Sequence, residues 1–131
     1  MKANRIFFIA DDDVDDRELF IEALLDIDPS SNCITAADGE DALSQLNSLT
    51  PLPDFIFLDL NMPRINGREC LTAIKQNVRI NQIPVIIYST STDKEHMQDA
   101  IAAGAAYFLQ KPNRFEELSR ALSSIISRDW N

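Results

Sequence analysis

Asp11, Asp12, Asp59, Ser89 and Lys111 are the residues of this chain best placed to do chemistry, because each stands at or just beyond the end of a short apolar run. The run Phe55-Ile56-Phe57-Leu58 reads as a strand buried on both faces, and a charge follows it at once. If all these runs are parallel strands of one sheet, their ends lie along a single edge, where ligands of open α/β sheets bind. Crowding carboxylates there is unfavourable through mutual repulsion, which a hard divalent cation relieves. Mg²⁺ takes carboxylate, carbonyl and water oxygens in an octahedron. Asp12 and Asp59 suit direct contact, Asp11 contact through a water, and the backbone carbonyl of Asn61 completes the share of the protein. Asp13, Asp15 and Asp16 are sufficiently explained as acids at a helix start. Lys111 follows a buried run, and Pro112 allows a cis bond that would aim the ammonium back at the edge.

The elements that must position these residues alternate with little spare chain. Ile6 to Ala10 is apolar and strand-like, and Phe20, Ala23, Leu24 and Ile27 mark one face of the helix that follows. A short strand over residues 33–37 precedes Asp38, the expected N-cap of a helix carrying Ala42, Leu43, Leu46 and Leu49. Asn66 to Glu69 has the form of a capping box, opening a helix with Leu71, Ile74 and Val78 inward and with Gly67 as a flexible position. Residues 84–89 form the fourth strand. Thr92 to Glu95 reads as a second capping box, and Gly104 suits the end of that helix. Residues 106–109 form the last strand, and Asn113 caps a helix with Phe115, Leu118, Leu122 and Ile125 inward. Five such βα units imply a doubly wound parallel sheet with helices on both faces.

At 131 residues the chain has room for one core. No apolar run approaches the length of a membrane span, and no signal peptide is visible. The net charge of −9 argues against nucleic-acid binding. Cys33 and Cys70 read as reduced thiols of a cytoplasmic protein. A single histidine, His96, nearly excludes histidine metal sites and Ser-His triads.

Asp11-Asp12, Asp59 within Leu58-Asp59-Leu60-Asn61-Met62-Pro63, Gly67, Ser89 and Lys111-Pro112 together resemble the receiver domain of bacterial two-component response regulators, over residues 6–126. The resemblance implies a flavodoxin-like sheet in the order 2-1-3-4-5. It implies that Asp59 accepts a phosphoryl group from a phosphohistidine of a sensor histidine kinase or phosphotransfer protein. Asp11, Asp12, Asp59 and Asn61 would hold Mg²⁺, while Lys111 and Ser89 would each engage a phosphoryl oxygen. Phe108 would turn inward as part of a switch, with Tyr107 on the opposite face of its strand. The chain would be a phosphoacceptor that takes part in its own phosphorylation and dephosphorylation, not an enzyme.

Only Ser127 to Asn131 follow the last helix, so the expectation is one receiver domain over residues 1–131 without an output domain. It would act on a downstream protein that the sequence does not name; a homodimer is left open, with Trp130 either a free tail or part of such a contact. Serine at 89 and phenylalanine at 108 depart from the threonine and tyrosine common in the family. The alternative function is a small Mg²⁺-dependent aspartyl phosphatase of haloacid dehalogenase type. Those enzymes carry a second acid two positions after the nucleophile, where this chain has Asn61, and usually a cap domain. A flavodoxin-type flavin module would set three aspartates against the flavin phosphate.

Overall fold

The computed structural model describes residues 4–128 and 130. Strands and helices alternate as β1 (Ile6–Ala10), α1 (Val14–Ile27), β2 (Asn32–Ala36), α2 (Gly39–Ser48), β3 (Phe55–Leu58), α3 (Gly67–Gln76), β4 (Val85–Ser89), α4 (Lys94–Ala102), β5 (Tyr107–Gln110) and α5 (Phe115–Ile126). The sheet is parallel throughout, in the order β2-β1-β3-β4-β5. This is the flavodoxin-like arrangement implied by the resemblance.

Alternation along each central strand divides the core in two. Phe7, Ile9, Phe55, Phe57, Ile86, Tyr88 and Leu109 face the cluster completed by α1 and α5. Phe8, Ala10, Ile56, Leu58, Val85, Ile87 and Phe108 face the one completed by α2, α3 and α4. Both faces of β1, β3 and β4 are therefore buried, which is why these strands read as unbroken apolar runs.

Local signals held at some helix ends and moved at others. Asp38 caps α2 through Asp41 N–H, and Asn66 with Glu69 forms the capping box of α3. In α4, however, Asp93 is the N-cap and accepts from Glu95 N–H, so the Thr92 box does not form. Helix α5 starts at Phe115 behind Arg114, with no side-chain cap; Asn113 does not serve. Val78 is fully outside, at 88 % exposure. Helix α3 ends at Gln76, the Asn77 carbonyl accepts from Ile80 N–H and Asn81 N–H, and Ile80 takes the inward place. Gly104 has φ +111°, the left-handed conformation expected at a helix C-terminus.

Cys70 lies in the core and Cys33 is half-buried on the outer strand β2; burial pushes both thiols up to about 12. Trp130 folds back on its own domain, its indole N–H donating to the Ile125 carbonyl at 2.9 Å and its ring edge-on to Phe55. No helix among the described residues is long and apolar enough to cross a membrane.

Candidate phosphoacceptor and metal site

The carboxyl ends of β1, β3, β4 and β5 bring the sequence-predicted residues to one edge. Asp11 and Asp59 extend the ladder by a residue: Asp11 N–H donates to the Ala36 carbonyl, and Asp59 N–H to the Ala10 carbonyl. Both side chains are thereby drawn into the protein, Asp11 fully buried and Asp59 only 6 % exposed, while Asp12 is exposed. Carboxylate oxygens of Asp11, Asp12 and Asp59 lie within 4.8 Å of one another. Asn61 is exposed and meets the cluster through its backbone N–H, 3.4 Å from Asp59 Oδ1.

Gly67 works here differently from the sequence expectation. A side chain at this position would place its Cβ 2.1 Å from the Asp59 carbonyl oxygen. The glycine is required for close approach, not for flexibility, and it lets the start of α3 brace the backbone of Asp59. Gly67 N–H also donates to the Leu60 carbonyl at 3.0 Å.

Lys111 reaches the cluster from just beyond the end of β5. Its ammonium lies 2.8 Å from Asp11 Oδ2, 2.7 Å from Asp16 Oδ2 and 3.6 Å from Asp59 Oδ2, and its side chain is 8 % exposed. The backbone holds it there, Lys111 N–H donating to the Ser89 carbonyl at 2.7 Å. Among the described residues the only cis peptide is Thr50–Pro51, so Lys111–Pro112 is trans and no cis bond aims the lysine. The ammonium also stands 5.2 Å from the ring centroid of Tyr88.

The electrostatics follow from burial. Desolvation raises the Asp59 pKa, Lys111 lowers it, and Asp11 raises it again; the Asn61 N–H lowers and Asp12 raises it further, leaving it at about 6. Burial alone would lower the Lys111 pKa, yet the close carboxylates of Asp11 and Asp16 and the charge of Asp59 carry it above its usual value. Asp11 Oδ2 has its ion contact with Lys111 but no well-directed hydrogen bond. An oxygen-only set of three carboxylates, two of them buried, fits a hard divalent cation.

Ser89 is fully buried at the end of β4, and its hydroxyl accepts from Ser91 N–H at 3.2 Å. Phe108 packs in the cluster beneath α2, α3 and α4, while Tyr107 faces the opposite cluster and stacks under Arg128 at 4.6 Å. Two contacts were missed by sequence reasoning. Asp16, taken as a helix-start acid, reaches Lys111; Arg17 Nη1 donates to the Asp11 carbonyl at 2.6 Å and fixes the loop after β1. The spacing places Asp16 one turn before Phe20, on the inward face of α1, but names no partner, since both contacts depend on where the first turn of α1 lies relative to the sheet edge.

Residues 7–123 match the response regulator receiver domain. The chain belongs to this family. Its members are response regulators controlled by phosphorylation, and they bind a divalent metal at an aspartate cluster. It is 35 % identical over 92 residues to the probable methanogenesis regulatory protein FilR2 of Methanothrix harundinacea, covering 67 % of this chain and 59 % of that protein. The fold superposes on the phosphorylated cyanobacterial phytochrome response regulator RcpA with TM-score 0.86 and 28 % identity, over 94 % of this chain and 91 % of that one. For the Mn²⁺-bound form of response regulator Rcp1 the values are 0.81, 29 %, 94 % and 92 %. The chain spans about three-fifths of FilR2 and about a third of the protein-glutamate methylesterases that it also matches.

Proposed function

We propose that this receiver takes its phosphoryl group on Asp59, from the phosphohistidine of a sensor histidine kinase or phosphotransfer protein. The observation that carries this is a single buried aspartate at the end of β3, with carboxylate oxygens of Asp11 and Asp12 within 4.8 Å and the ammonium of Lys111 3.6 Å away. An Asp59 oxygen bonds to phosphorus as the phosphorus–nitrogen bond of the donor breaks, and the imidazole leaves with the electron pair. The acyl phosphate formed is later hydrolysed, returning the carboxylate.

Asp11, Asp12, Asp59 and the Asn61 carbonyl would hold Mg²⁺, which when bound neutralises charge on the transferring group. Lys111 supplies the remaining positive charge to a phosphoryl oxygen, and the Ser89 hydroxyl turns from Ser91 N–H to donate to another. The movement of Ser89 is the start of the switch, and the already buried Phe108 follows it. The altered surface, over residues 92–128, then docks a downstream protein. On this reading the chain acts as a phosphoacceptor receiver in the cytoplasm. Nothing in the fold or the relatives favours a haloacid dehalogenase-type phosphatase.

The test is intact-mass spectrometry after treatment with acetyl phosphate. The wild type should gain one phosphate only when Mg²⁺ is present, and Asp59→Asn should gain none. Undiminished labelling of Asp59→Asn would remove Asp59 from this role.

A further inference from the structure

Lys111 has three N–H donors and two close partners. Asp11 Oδ2 stands at 2.8 Å and Asp16 Oδ2 at 2.7 Å, leaving the third donor nearest Asp59, 3.6 Å away. The two close partners are not equivalent. Asp11 belongs to the carboxylate cluster that suits a cation, and Asp16 does not. A divalent cation among Asp11, Asp12 and Asp59 takes up the charge of two of the lysine's three carboxylate neighbours and repels the ammonium as well. Only Asp16 then keeps its full charge for Lys111.

The reach of Asp16 is also specific. In the third position of α1, an acid could have turned back to the N-cap backbone, as Glu69 does in α3. Asp13 instead caps α1 alone, accepting from both Asp15 N–H and Asp16 N–H. The Asp16 carboxylate is left to cross to the end of β5, where it accepts from Lys111 Nζ.

We propose that Asp16 is a positioning residue for phosphoryl transfer: the dedicated counter-ion that keeps Lys111 beside Asp59 once the metal site is loaded. It acts through Lys111 and does not touch the reacting atoms. Resting on the reading of Asp59 as phosphoacceptor, it adds a residue that the transfer requires. In that transfer from acetyl phosphate, an Asp59 oxygen–phosphorus bond forms, the bond from phosphorus to the acetyl oxygen breaks, and acetate leaves with the electron pair.

The test is the rate of phosphorylation by acetyl phosphate at saturating Mg²⁺, measured in a double-mutant cycle. Asp16→Asn should lower the maximal rate about fivefold, the effect of losing one partly exposed ion pair at the transition state. Asp16→Glu, which restores the charge, should recover most of the loss. In a Lys111→Met background Asp16→Asn should change nothing further, a non-additivity that a merely structural role for Asp16 would not produce. An unchanged or faster Asp16→Asn rate would overturn the proposal. So would an equal loss in the Lys111→Met background. Labelling that persists in Asp59→Asn would instead count against the phosphoacceptor itself, so the two failures are distinguishable.

Discussion

The two ends of this sheet are made by the same strands and do opposite things. At the amino end, Phe7 and Phe55 stack at 5.4 Å, Trp130 closes over Phe55, Arg128 lies over the rings of Tyr107 and Trp130, and Arg5 pairs with Asp28. At the carboxyl end, Asp11, Asp59 and Lys111 are as well buried as that aromatic layer, but they are charged and crowded. The first arrangement lowers free energy by removing apolar surface from water. The second raises it, and a cation bound among these carboxylates would relieve the excess. Stability is concentrated at one end, which leaves the other free to be unstable until it is ligated.

This contrast can be broken from either end. The largest expected effect is that of Asp59→Asn. It abolishes phosphorylation, yet the metal-free protein should become more stable near neutral pH, by about 1–2 kcal/mol, because a neutral amide replaces a buried carboxylate. Urea denaturation in chelator reads the second part; a large loss of stability would contradict the idea of a strained carboxyl end.

Phe55→Ala should behave in the reverse way. Removing this ring from between Phe7 and Trp130 should destabilise the fold by about 3 kcal/mol. The maximal rate of labelling by acetyl phosphate should stay unchanged below the melting temperature.

A third effect is set by pH. The Asp59 pKa in the fold is about 6, raised above its ordinary 3.8. Between those values the folded state binds a proton that the unfolded chain does not, so this group favours folding as pH falls through 6 and opposes it above. The rise in melting temperature given by excess MgCl₂ should accordingly be large at pH 7.5 and much smaller at pH 5, where the proton occupies the metal's ligand. Equal rises at both values would exclude Asp59 as a ligand.

The smallest effect is expected from Trp130→Ala, about 1 kcal/mol for an edge-on aromatic contact at a chain end. The tryptophan fluorescence of the wild type should report global unfolding, because the ring is docked on its own domain. An early, separate transition would show that the contact with Phe55 is not held.

Much of the architecture is legible from local patterns because the physics there is local. Buried parallel strands must be apolar on both faces, and amphipathic helices must repeat on one side, so the ten elements and the sheet's two-sided cover follow from residue order. The candidate members of the site were legible for a related reason: a charge at or just past the end of a buried run, as at Asp11, Asp59 and Lys111, has few structural explanations. Helix ends were less so. Whether Thr92 or Asp93 caps α4, and whether α3 runs on to Val78, depends on competition between neighbouring groups of similar strength that differ by about 1 kcal/mol.

By itself, then, residue order determined that charged groups would end the central strands, and that the chain would wind helices on both sides of a parallel sheet. Only the folded chain decided which of those charges face one another. Asp15 and Asp16 are adjacent aspartates in the same helical turn, but of the two only Asp16 reaches Lys111, 95 residues on. Successive helical positions point about 100° apart, so which of two adjacent acids meets the sheet edge is set by how α1 is rotated on β1 and β3. The spacing of Phe20, Ala23 and Leu24 already marks the sheet-facing side of α1, with Asp16 one turn before Phe20 on that side; that this turn meets Lys111 depends on α1 packing against strands far along the chain.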